Sequence, residues 1–131
     1  MTHERATPCP CGRGETYDDC CGPFHLGSAS APTAERLMRS RYSAFVVLDA
    51  DYLQSTWHPS TRPRTLELDV DRRWLSLEIL DVARGGLLDS TGEVEFIATA
   101  VVDGRRQAQS ERSRFVRDGG RWTYLDGVVA G

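Results

Sequence analysis

Four cysteines fall inside thirteen residues, Cys9, Cys11, Cys20 and Cys21 of the run CPCGRGETYDDCC, and the rest of the chain has none. Clustering of this kind builds a compact tetrathiolate site. Zinc takes four ligands in a tetrahedron and accepts thiolates readily. Pro10 allows a tight turn that aims Cys9 and Cys11 at one point, and Gly12 and Gly14 let the chain reverse. About one helical turn over Glu15 to Asp19 then returns Cys20 and Cys21 to the same place. The expected cofactor is therefore zinc, held by Cys9, Cys11, Cys20 and Cys21. The spacing is C-x-C-x8-C-C rather than the common C-x2-C pair. His25, four residues past Cys21, stands as a substitute for one thiolate. Four protein ligands leave no position for water, so the expected role is structural and not hydrolytic.

Disulfides are the competing reading. Neighbouring cysteines such as Cys20 and Cys21 form strained bridges with each other, whereas cross-pairs between the two couples are geometrically possible. Residues 1–15 hold His3, Glu4, Arg5, Arg13 and Glu15 without an apolar stretch, which gives no sign of a secretory segment. We therefore expect a cytoplasmic chain, and clustered cysteines there more often hold metal.

A length of 131 residues admits one ordinary domain, or a small one with a metal-stapled appendage. No run approaches the ~20 apolar residues of a membrane span, so no membrane partner is expected. A net charge of −3 argues against nucleic acid as the main partner. Residues 1–31 read as the cysteine module and its linker, closing on the small residues SASA, and residues 32–131 as a second unit. Thr33 can cap a helix whose apolar positions are Ala34, Leu37, Met38, Tyr42, Phe45 and Val46, reaching about Leu48. Asp49 can cap a second helix from Ala50 to Trp57, ended by Pro59, and Thr65 to Asp71 reads as a short third.

Beyond Arg73 the period changes to two. Leu75, Leu77 and Ile79 alternate with Ser76 and Glu78, and a slip of phase at Leu80 implies a bulge. Val94, Phe96, Ala98, Ala100 and Val102 share one face of the next strand, and Asp103-Gly104 is a hairpin signal. Another turn at Asp118-Gly119 separates the last two strands. Helices followed by an antiparallel sheet make an α+β fold. These turns set Phe96 opposite Glu111, Phe115 opposite Trp122 and Glu111 opposite Asp126. One sheet face then carries aromatic and small residues together with Glu111 and Asp126, as the wall of a partly polar cavity under the helices. The other carries Ile97, Val101, Val116 and Leu125, a surface on which a homodimer could form.

The cysteine run, with Pro10, Gly12, Gly14 and Tyr17, resembles the SEC-C motif, the zinc-binding module at the C-terminus of the SecA translocation ATPase. The stretches LMRSRYSAF from Leu37, DADYL from Asp49, TWHPS from Thr56, ERSRF from Glu111 and RWTYLDG from Arg121 resemble the uncharacterised YchJ-like proteins of bacteria. That resemblance implies a nuclear transport factor 2-like domain, a curved antiparallel sheet wrapped around helices to form a cone. Members of that superfamily include enzymes, ligand binders and adaptors, so the fold does not choose among them.

His58, between Trp57 and Pro59, is a candidate general base at the cone mouth, against a histidine bonded to backbone at a helix end. Glu111 and Asp126 are candidate ligand-binding or acid/base groups, against carboxylates paired with Arg39, Arg41, Arg112 or Arg114. The leading expectation is an adaptor that meets an unidentified protein partner through its zinc module. The alternative is a protein that binds a small molecule, or an enzyme, using the cone cavity. A deep pocket with an unpaired acid favours the second.

Overall fold

Residues 7–129 are described by a computed structural model. His3, Glu4 and Arg5, read above for the lack of an apolar run, lie outside the described residues. The chain starts in a small loop: Pro8 bridges Thr16, Cys9 N–H donates to Glu15 O at 2.8 Å, and Tyr17 N–H donates to Thr7 O at 2.9 Å. A 3-10 turn, Tyr17–Asp19, leads into α1, Gly22–Leu26. Pro23 opens that helix and Gly27, at φ 81°, closes it in the left-handed conformation that glycine permits.

Helix α2, Ala34–Val47, begins where Thr33 Oγ1 accepts from Arg36 N–H at 3.2 Å. Helix α3, Ala50–Ser55, is capped by Asp49, whose carboxylate accepts from Tyr52 N–H at 3.0 Å. It stops short of Trp57 because the chain turns extended there: Tyr124 N–H donates to Thr56 O, and His58 N–H donates to Tyr124 O, each at 2.8 Å. The expected third helix is absent, and residues 65–71 form an irregular segment. Leu66 and Leu68 both pack on the core. Two residues apart, they suit extended chain and would fall on different helical faces.

Four antiparallel strands follow in the order β1-β2-β3-β4: β1 Arg73–Arg84, β2 Thr91–Val102, β3 Arg105–Asp118 and β4 Arg121–Val129. The bulge expected at Leu80 is present, and a second at Leu75 turns that leucine outward, leaving it 39% exposed. Asp103-Gly104 forms the two-residue loop between β2 and β3, with both residues at positive φ, and sets Phe96 opposite Glu111 and Ala98 opposite Gln109 as the alternation implies.

The last hairpin differs from expectation. Its loop is Gly119-Gly120, so Trp122 pairs with Arg117 and Tyr124 with Phe115. A slip of two residues keeps both aromatic rings on the inner face. A bulge at Leu125 then reverses the parity, and Asp126 pairs with Arg114 on the outer face, not with Glu111. Gly127 and Val129 take the inner positions opposite Ser113 and Glu111.

The inner sheet face buries Val94, Phe96, Ala98, Ala100, Phe115 and Trp122 against Leu37, Met38, Tyr42 and Leu53 of the helices. Gly85 and Gly92 touch where Ala34 starts α2, and a Cβ on Gly92 would meet the Gly85 nitrogen at 2.8 Å, so the helix start docks directly on backbone. The four cysteines belong to this same buried cluster rather than to a separate one. No helix among the described residues is long and apolar enough to cross a membrane.

Candidate functional site

Two features carry chemistry, a cysteine cluster and a cavity on the other side of α2. In the cluster, Cys9, Cys11, Cys20 and Cys21 are all free thiols, and all are at most 4% exposed. Their sulfurs lie within 4.8 Å of one another, with Cys11 to Cys20 at 3.6 Å and Cys20 to Cys21 at 3.9 Å. A zinc–sulfur bond of about 2.3 Å sets the edge of a tetrahedron near 3.8 Å, so the four donors fit a metal of this kind. Ser43 of α2 lies 3.5 Å from Cys9 Sγ and donates to Cys21 Sγ at 3.4 Å. Arg39 donates to Cys11 O at 2.8 Å, placing a cation beside the cluster.

Ionisation of the thiols is uneven. Hydrogen bonds from Cys11 and Cys21 hold Cys9 low, while the hydrogen bonds with Cys11 and Cys9, and then burial, push Cys21 up. One thiolate forms readily and the next resists, because its proton is held by hydrogen bonds to the neighbouring sulfurs and by burial, with repulsion between thiolates adding to both. A divalent cation removes that conflict.

His25 does not join the cysteines. Its Nδ1 is 2.6 Å from the Tyr17 hydroxyl, and its Nε2 is 2.9 Å from Ser40 O. The same chain of contacts reaches Tyr52, whose hydroxyl is 2.7 Å from Ser40 Oγ. His25 thus ties α1 to α2 and α3, and both ring nitrogens are occupied.

The cavity lies between α2 and the inner sheet face and holds about 380 Å³. That is at the small end of the ~300–1,000 Å³ usual for ligand sites. Six aromatic rings line it, those of Tyr42, Phe45, Trp57, Trp74, Phe96 and Tyr124. Burial pushes Tyr42 and Tyr124 up to about 12, so both hydroxyls stay protonated at neutral pH. Glu111 is the acid in the wall. Its carboxylate accepts from Ser113 Oγ at 2.8 Å, Gln109 Nε2 at 3.4 Å and the Tyr124 hydroxyl at 3.5 Å. Among the described residues, no arginine forms an ion pair with it. The carboxylate lies flat over Gly127, where a Cβ would collide with it.

The structure separates the other two candidates from Glu111. Asp126 pairs with Arg114 on the outer face, with both side chains exposed, and the Arg114 guanidinium holds its carboxyl below the usual carboxylate range. His58 is absent from the cavity wall. Its Nδ1 meets Ser60 Oγ at 2.8 Å and accepts from Ser60 N–H at 3.1 Å, so it serves the turn that follows α3.

Sequence reasoning named Arg41 only as a partner for the two acids, and Trp57 only as a helix end and the neighbour of His58; neither was expected to line the cavity. Arg41 sits on the apolar stripe of α2, four residues after Leu37 and four before Phe45, and is 3% exposed. A charge in that stripe is the signal that would have found it.

Comparison with known proteins agrees with this arrangement. A family model described as the YchJ middle NTF2-like domain matches residues 33–127, and the SEC-C motif matches residues 5–23. A UPF0225 protein of Streptomyces coelicolor is 58% identical over 92% of this chain and 94% of its own. One from Chromobacterium violaceum is 49% identical over 93% of each. Among solved structures, a SEC-C motif containing protein from Rhodopseudomonas palustris superposes with a TM-score of 0.82 at 39% identity, covering 94% of this chain and 98% of that one. One from Psychrobacter arcticus gives 0.79 at 29% identity, over 98% and 85%.

Proposed function

This chain belongs to the YchJ-like UPF0225 family of SEC-C proteins, and from that premise we propose that it is a zinc-stapled binding protein whose working site is the cone cavity. The metal holds and the cone binds. Zinc on Cys9, Cys11, Cys20 and Cys21 would fix the N-terminal loop against α2 through Ser43, with every ligand position taken by sulfur. Four free thiols suit a reducing compartment, and the reading takes the protein to be cytoplasmic.

The observation that carries this reading is the cavity of about 380 Å³, aromatic in its walls and furnished with an acid that no arginine neutralises. A purely mechanical cone would be filled by side chains or would pair its acid. The test is a fragment screen on isotope-labelled protein. Backbone amide shifts should concentrate at Phe96, Ala98, Ser113 and Tyr124, and an Ala98→Trp variant, which fills the cavity, should abolish them. Shifts confined to the outer surface would overturn the reading.

One observation favours an adaptor as the second reading. Leu87 and Leu88, neighbours on the β1–β2 connection, are 70% and 100% exposed, and two adjoining apolar side chains held in solvent offer a partner a contiguous apolar surface. In-cell crosslinking with a Leu87→Asp, Leu88→Asp variant separates the two. Loss of a partner seen with the wild type supports the adaptor, and an unchanged set removes this ground for it.

A further inference from the structure

Arg41 is a buried cation without a carboxylate partner among the described residues. Its Nη1 group spends its hydrogens on Leu53 O at 2.9 Å and Thr56 Oγ1 at 2.7 Å. The guanidinium plane is held over two rings at once, 5.1 Å from the Trp57 centroid and 4.6 Å from that of Tyr124. Burial lowers its pKa only to about 10, so it remains charged at neutral pH. Fixed in this way, it keeps Nε and Nη2 without an acceptor among the described residues, and these two nitrogens form the side-on edge that matches a carboxylate. The residue is 3% exposed, and the space that Arg41 lines is the cavity. A second donor stands unsatisfied in the same wall: Trp57 Nε1 is buried without an acceptor.

The charge balance of the cavity points the same way. Arg41 and Arg72 line it as cations, and Glu111 is its carboxylate. Arg72 rides over the Trp74 ring, 5.4 Å from its centroid. Two positive groups against one negative leave room for a single negative charge. The other lining residues are aromatic or apolar, apart from the neutral Gln107, Gln109, Ser110 and Ser113.

We propose that the cone takes a small organic monocarboxylate with a flat apolar body, its carboxylate on the free edge of Arg41 and its body against the aromatic wall. Glu111, which keeps acceptor capacity beside its bond from Ser113, would receive a hydroxyl or amino hydrogen at the far end of such a ligand. The proposal rests on the cone being the working site and adds the class of molecule it binds. Charge selects the carboxylate over a phosphate dianion, which would leave the cavity net negative.

The test compares 2-naphthoate with its uncharged analogue 2-naphthamide by calorimetry on the zinc-loaded full chain. Naphthoate should bind at least about tenfold tighter, the difference expected of a charge-assisted contact. In Arg41→Met the preference should vanish while naphthamide affinity persists, which also reports that the cavity is intact. Equal affinities in the wild type, or a preference that survives Arg41→Met, would overturn the anion assignment and leave the cone reading standing. Binding of neither compound would count against the cone itself. Should Arg41→Met fail to fold, Glu111→Gln carries the test. Removing the one cavity acid should raise the preference for naphthoate, and an unchanged preference contradicts an anion held here.

Discussion

Replacing Glu111 by Gln decides whether the cavity's charges are already satisfied from within. The carboxylate is held by neutral donors, and only the Ser113 bond, at 2.8 Å, is short. Hydrogen bonds to a charged group contribute about 1.5–3 kcal/mol and neutral ones about 0.5–1.5. Exchanging carboxylate for amide at this one strong bond should therefore cost about 1 kcal/mol. A buried ion pair behaves differently, because removing one partner strands the other and costs about 3–5 kcal/mol. Glu111 does favour the charged form of Arg41 across the cavity, but without contact. Urea unfolding of zinc-loaded protein, followed by far-UV circular dichroism and extrapolated linearly, resolves the two cases. In heat the expected shift is about 2–8 °C. A loss of about 3 kcal/mol or more would refute the reasoning. It would make Glu111 the counter-ion of Arg41 and leave the Arg41 edge no open charge for a ligand.

Three further outcomes follow from the same geometry. Chelation in reducing buffer should lower the thermal midpoint, because the cysteines share the core of α2, yet keep the sheet signal in far-UV circular dichroism. Wholesale loss of that signal would show that residues 32–131 cannot fold without metal. Asp126→Asn should leave the urea midpoint unchanged at about 0.15 M salt, since its pair with Arg114 is exposed and screened, and a clear destabilisation would contradict its outer placement. The outer sheet face carries Arg112 bonded to Asp81, Glu93 and Glu95 across its middle, so the chain should sediment as a monomer. A dimer dissolved by Val101→Arg would show that the half-buried Ile97, Val101 and Val116 are enough to form an interface.

The parts of the fold that were legible in the sequence are those set by local rules. Thr33 and Asp49 cap their helices, Leu80 bulges, and Asp103-Gly104 fixes the register that brings Phe96 opposite Glu111. Where two glycines followed an aspartate, the loop fell one residue later than expected, yet the slip of two in pairing spared Trp122 and Tyr124. The bulge at Leu125 carries no residue signal, and it alone moved Asp126 to the other face. The cysteine cluster needed only spacing. The cavity needed tertiary placement: the apolar stripe of α2 marks Arg41 as buried, but its partners are set only when α3, Trp57 and Tyr124 close around it. Gly127 gains its meaning only from the carboxylate lying over it.

The proposed division of labour, a metal that holds and a cone that binds, is tested most directly on protein loaded with cobalt(II). Its visible ligand-field spectrum reports the metal's coordination while 2-naphthoate is titrated to saturation by calorimetry. The account predicts a tetrahedral all-sulfur spectrum from Cys9, Cys11, Cys20 and Cys21 that does not change as the cavity fills. A spectrum showing a nitrogen or oxygen ligand, or one that shifts with the added carboxylate, would place the ligand at the metal and contradict it.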